Sequence, residues 1–80
     1  KGMKNKTEKS IFIATDYIKL DSLLKFAGFA DSGGGAKVLV QNGDVSVNGE
    51  ICLMRGKKIH SGDTVETSGV RINVLKESEK

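Results

Sequence analysis

The stretch that decides the fold is Gly43-Asp44-Val45-Ser46-Val47-Asn48-Gly49-Glu50-Ile51-Cys52-Leu53, where apolar spacing changes from helical to alternating. Val45-Ser46-Val47 alternates with period two, the pattern of a strand with one buried face. Asn48-Gly49 follows at once. It is the strongest two-residue hairpin signal, because a type I′ turn needs positive φ at both central positions. Glu50 to Leu53 reads as the returning strand, with Cys52 packed as a small hydrophobe between Ile51 and Leu53.

Upstream of that stretch the period is helical. Leu20, Leu23, Leu24 and Ala27 fall at i, i+3, i+4 and i+7, one stripe of a helix. Gly28 stands where that helix can end in the left-handed conformation. Asp21 and Lys25 form an i,i+4 pair on its outer face. Asp31 or Ser32 can cap a second helix, with Ala36, Leu39 and Val40 as its stripe and Gly43 as its stop. Gly34, Lys37, Val38 and Gln41 share another face, so Lys37 and Gln41 point away from the stripe.

Ile11 to Thr15 is a β-branched and aromatic run that predicts a short strand. Arg55-Gly56-Lys57-Lys58 reads as a basic loop and Ser61-Gly62-Asp63 as a turn. Thr64-Val65-Glu66 and Val70 to Leu75 predict a last hairpin around Ser68-Gly69. Residues 1–10 read as a polar, lysine-rich, disordered lead-in, 11–75 as one domain and 76–80 as a charged tail. Lys1-Gly2 reads as an expression remnant before a natural start at Met3. The fold class expected is α+β, two short helices packed on a small, mostly antiparallel sheet.

Composition bounds the function. Eighty residues make one small domain, near the lower limit at which a core folds without staples. No apolar run approaches the ~20 residues of a membrane span, and no signal-peptide core is visible. One cysteine excludes an internal disulfide framework, so a cytoplasmic location without membrane contact is expected. The net charge of +3 is mild. Between Ile18 and Lys76, eight Lys and Arg face six Asp and Glu, so whole-molecule attraction to a polyanion is weak. Clustering has to make the case.

Catalysis has no visible constellation. His60 is the single histidine, beside a turn, and reads as a surface residue; nothing pairs it with Cys52. The carboxylates are scattered over turns and caps, so no enzyme, cofactor or metal is expected. Gly33-Gly34-Gly35 fits only a helix start or a loop, since each interior helical glycine costs ~1 kcal/mol. At a helix start its bare N–H groups could receive a phosphate; as a loop it only reverses the chain. Both readings stay open, and no Gly-Lys-Ser/Thr follows to make a nucleotide loop. Arg55, Lys57 and Lys58 form the densest basic cluster. The aromatics Phe12, Tyr17, Phe26 and Phe29 all lie in the first third and offer no visible base-stacking platform. Recognition should rest on shape and phosphate contacts.

At Lys19-Leu20-Asp21-Ser22-Leu23-Leu24, Ser32 to Ala36-Lys37, Gly43 to Gly49 and Gly62-Asp63-Thr64-Val65 the chain resembles a known family. It is the RNA-binding domain named after ribosomal small-subunit protein S-four, the alpha-L RNA-binding motif. The resemblance covers roughly residues 18 to 67. The strand-like start, the Ser-Gly-Gly loop and Arg55-Gly56-Lys57-Lys58 resemble especially the small stand-alone bacterial members, the YaaA-type proteins. It implies two helices on a small bent, mostly antiparallel sheet. It also implies a non-catalytic, ribosome-associated module that binds structured RNA, often ribosomal; a monomer is expected. Residue by residue, it implies RNA contacts from Lys19, Ser32, Gly34, Lys37, Gln41, Arg55, Lys57 and Lys58. Gly33 departs from the pattern, which favours arginine just after the serine.

Two other functions compete. A basic loop also suits a protein-interaction adaptor with an acidic partner. The Val47 to Glu50 hairpin followed by a Gly-Asp turn resembles the rhythm of β-grasp sulfur carriers, but those end in Gly-Gly where this chain reads Glu77-Ser78-Glu79-Lys80.

Overall fold

A computed structural model describes residues 7–79. The first six residues of the expected lead-in, the remnant and start read at Lys1 to Met3, and Lys80 lie outside the described residues. The elements run β1 (Thr7–Ile13), β2 (Tyr17–Lys19), α1 (Leu20–Phe26), α2 (Gly33–Gln41), β3 (Val45–Val47), β4 (Glu50–Ile51), β5 (Lys58–His60), β6 (Thr64–Thr67) and β7 (Val70–Lys76). A 3-10 turn, Glu77–Glu79, follows.

One sheet has the order β1-β7-β6-β3-β4, and β2 with β5 forms a second, two-stranded sheet. The pairing is antiparallel throughout except between β1 and β7, which run parallel from Thr7↔Val70 to Ile13↔Lys76. The helical stripes bury as their spacing predicts: Leu20, Leu23 and Leu24 from α1 and Ala36 and Val40 from α2 are fully enclosed. They meet Val45, Val65, Ile72 and Val74 of the sheet and Ile59 of β5 in one core. Each enclosed leucine contributes roughly 2 kcal/mol of transfer free energy.

Turn and cap chemistry fixes the joints. Asn48 and Gly49 have φ of 52° and 89°, and Ser68 and Gly69 of 53° and 76°, so both hairpins turn with two positive φ values. Both helices close with a Schellman pair. Gly28 and Phe29 N–H donate to Lys25 and Leu24 carbonyls, and Gly43 and Asp44 N–H to Val40 and Leu39 carbonyls. The start of α2 is capped by Ser32, whose Oγ accepts the Gly35 N–H at 3.3 Å.

The sequence reading needs three corrections. Thr7 to Ser10 belong to β1 instead of a disordered lead-in. An edge strand needs one hydrogen-bonded neighbour and no buried face, so these exposed polar residues suffice when β7 supplies the ladder. At the other end Lys76 is the last residue of β7 and not the start of a tail. Finally, the strand expected over Glu50 to Leu53 stops at Ile51, and Cys52 is only half-buried. Ile51 and Leu53 are 66% and 62% exposed, because the chain leaves the sheet edge there to reach α1.

Candidate nucleic-acid interface

The two-stranded sheet organises the first half of the site. Its register sets Tyr17 opposite His60, Ile18 opposite Ile59 and Lys19 opposite Lys58. Side chains alternate along a strand, so the two isoleucines turn to one face and the other four residues to the opposite one. Ile59 is buried and Ile18 packs against the core, whereas Tyr17, Lys19, Lys58 and His60 are exposed. Lys19 and Lys58 are like charges directly opposite one another, an arrangement that destabilises a sheet unless an anion compensates it.

Two backbone bonds bring the basic loop to the same place. The Leu20 N–H donates to the Lys57 carbonyl and the Asp21 N–H to the Arg55 carbonyl, both at 2.9 Å. The loop thereby takes up two N–H groups that the start of α1 cannot satisfy internally. Arg55, Lys57 and Lys58 are consequently anchored beside Lys19. The reading of 55–58 as a loop holds up to Lys57; Lys58 is the first residue of β5.

The second half of the site is the outer surface of α2. Ser32, Gly34, Lys37 and Gln41 are all exposed there, with Lys37 and Gln41 one turn apart. The three glycines form the first turn of the helix, which fits the helix-start reading of that segment. No hydrogen bond or ion pair between described residues joins α2 to the Arg55 loop. The link is the packing of α2 on α1.

Charge pairing separates this surface from the rest. Arg71 is bonded to Glu66 at 3.1 Å and lies 3.5 Å from Glu8, and Lys76 lies 3.0 Å from Asp16. The hydrogen bond Arg71 donates to Glu66 raises the Arg71 pKa, and the one Lys76 donates to Asp16 lowers that of Asp16. Lys9 donates to the Ala27 carbonyl at 3.3 Å. By contrast, Lys19, Lys37, Arg55, Lys57 and Lys58 have no carboxylate partner among the described residues. The cations the sequence singled out are thus unneutralised, as is Lys25 on α1, whose expected pairing with Asp21 does not form; Asp21 Oδ1 instead accepts the Ser22 N–H. No group of His, Cys, Asp and Glu suited to a metal occurs among the described residues. No helix there is long and apolar enough to cross a membrane.

Tyr17 and His60, outside the expected contact set, share the exposed face of this sheet with Lys19 and Lys58. Their rings lie 6.0 Å apart, tilted by 52°, and Lys58 Nζ sits 5.0 Å from the Tyr17 ring centre. No local signal marks them, since the pairing of β2 with β5 joins positions far apart in the chain.

This arrangement of helices, sheet and basic loop has known counterparts. A family model described as S4 domain matches residues 11–75. The chain belongs to the S4 domain family. This S4 domain is 42% identical over 59 residues to a Bacillus subtilis (strain 168) protein named as a probable ribosome maturation protein, RlbA. That match spans 74% of this chain and 83% of the relative. YbcJ of Escherichia coli (strain K12) is 34% identical over 59 residues, 74% of this chain and 84% of YbcJ. The solution structure of E. coli YbcJ, described as revealing an alpha-L motif involved in RNA-binding, superposes with a TM-score of 0.61. It is 31% identical, with 94% of each chain covered. The S4 domain here therefore has the alpha-L fold expected from its sequence, two helices on a mostly antiparallel sheet.

Proposed function

We propose that this S4 domain binds structured RNA without catalysing a reaction on it. The observation that carries the reading is the unneutralised cluster of Lys19, Lys58, Arg55 and Lys57, held by the β2–β5 register and the two bonds to the start of α1. Cations left without carboxylates repel one another, and a phosphate backbone relieves that repulsion with release of its own counterions. Lys37 and Gln41, with Ser32 and Gly34 at the helix start, extend the contact along α2. The match to YbcJ, whose structure is described as an RNA-binding motif, supports the same assignment.

The RNA is ribosomal, free or within a ribosomal particle, and the protein acts as a monomer in the cytoplasm. The support for the ribosomal target is the likeness to RlbA and its name; that for the compartment is a free, half-buried Cys52 with no disulfide partner. Crosslinking in cells followed by sequencing of the bound RNA tests the whole reading. Enrichment of ribosomal RNA at defined positions is the expected result. Recovery of a protein partner that survives nuclease treatment, with no RNA enriched, favours the adaptor and overturns the proposal.

A further inference from the structure

The outward face of the β2–β5 sheet is more than a row of lysines. Its register builds a four-residue tile, with Lys19 beside Lys58 at one end and Tyr17 beside His60 at the other. We propose that this tile is a nucleotide site: an unpaired base stacks on Tyr17 while the phosphates flanking it bind Lys19 and Lys58. The inference rests on the RNA-binding reading and deepens it, because it says which feature of a structured RNA is recognised.

Three observations combine. Tyr17 is a large aromatic left 37% exposed, although the isoleucine next to it packs inward. Its ring is already occupied by a cation, the Lys58 ammonium 5.0 Å from the centroid, which holds that side chain over the tile. A phosphate drawing the ammonium away leaves that ring face open, so charge capture and stacking follow one another. At the far edge the His60 ring lies 6.0 Å from the tyrosine ring, tilted by 52°. His60 Nδ1 lies 3.9 Å from Asp63 Oδ2, which accepts the His60 backbone N–H at 2.8 Å. Stacking on aromatic rings needs a base that is out of its helix, whereas a fully paired stem offers only phosphates and groove edges.

The test compares two labelled RNA stems, one fully paired and one with a single-nucleotide bulge, at constant salt. The wild-type chain is expected to bind the bulged stem about tenfold more tightly. Tyr17→Leu, which keeps a strand-compatible side chain, should remove that preference and leave paired-stem binding within about twofold; Tyr17→Phe should retain it. The chain holds one tyrosine and no tryptophan, so 3-fluorotyrosine gives a single fluorine NMR reporter on the folded wild-type protein. Its resonance should move much further with bulged RNA than with inorganic polyphosphate, which can draw Lys58 off the ring but cannot stack on it. Equal wild-type affinity for the two stems, or a preference that survives Tyr17→Leu, overturns the tile and leaves phosphate binding intact. If the wild type binds neither stem, the RNA-binding reading itself falls and the tile with it.

Discussion

Asn48 and Asp63, 15 positions apart, lock two turns together: the Asn48 Nδ2 donates to Asp63 Oδ1 at 3.2 Å. The Asn48 Oδ1 accepts the Thr64 N–H at 2.9 Å, and the Asn48 N–H donates to the Thr64 carbonyl at 2.7 Å. Asp63 uses its second oxygen to accept the His60 N–H. One amide and one carboxylate thus fasten the β3–β4 hairpin to the turn that delivers β5 into β6. The hairpin turn is held in place by the Ser61-Gly62 turn further along the chain.

Asn48 should therefore matter twice, through its hydrogen bonds and its positive φ. Asn48→Ala is expected to cost about 1–2 kcal/mol, read from urea unfolding. Asn48→Gly keeps the backbone conformation and loses only the side-chain bonds, so its cost should be about half as large. Equal costs for the two variants would show that backbone strain plays no part.

RNA affinity should fall steeply with salt. If four to six phosphates are contacted, the log–log slope is about −3 to −5. Replacing Lys37, Lys57 and Lys58 together by alanine should make that slope shallower by about 2–3 and weaken binding to every RNA. Arg71→Ala serves as the control, because Glu66 and Glu8 already neutralise its charge. A control variant as weak as the triple variant would remove the basis for choosing this face.

Gly33 occupies the place where the family pattern favours arginine. A β-carbon there meets nothing within 4 Å, and its backbone is not in the left-handed region. Gly33→Arg should fit without strain and restore a phosphate contact at the start of α2. The expected result is a salt slope steeper by about 1, with a stability gain of a few tenths of a kcal/mol at most from helix propensity. An unchanged slope would place the RNA away from the start of α2.

The Asp16–Lys76 pair ties the loop after β1 to the end of β7. Its hydrogen bond, and then its charge, lower the Asp16 pKa in the folded state. A carboxyl depressed on folding stabilises above its unfolded pKa and loses that contribution as pH falls through the lower folded value. Asp16→Asn should accordingly be less stable than wild type near neutrality. The difference should close only as pH falls through that lowered value, below the usual carboxylate range. Paired denaturation series at several pH values check this. A gap that persists under strong acid would point to a cause other than ionisation.

What was legible in the chain was local. The stripe of Leu20, Leu23 and Leu24, the cap at Ser32, the stops at Gly28 and Gly43 and the two hairpin turns are each written within a few residues. The strand Thr7–Ser10 was not, because its side chains are polar and its reason for being a strand lies in β7. The same holds for β2 and β5. Each is three residues long, too short for a period, and they become strands only through one another. The basic residues of the site could be named from family spacing. Their lack of carboxylate partners, and the aromatic pair beside them, required the register. The exposure of Leu53 and Met54 was invisible because an apolar run looks alike at a sheet edge and inside a core.

The parallel pairing of β1 with β7 also governs the order of events when the domain forms. Glu8 and Arg71 meet across 63 positions, a loop closure that yields no contact until nearly the whole domain exists. The helices and the β3–β4 hairpin are closed by neighbours and can form early, since local contacts fold fastest. During synthesis β1 emerges first but waits for a partner made last. Until β7 arrives it is an unpaired edge, and its lysine and glutamate discourage it from pairing with another chain.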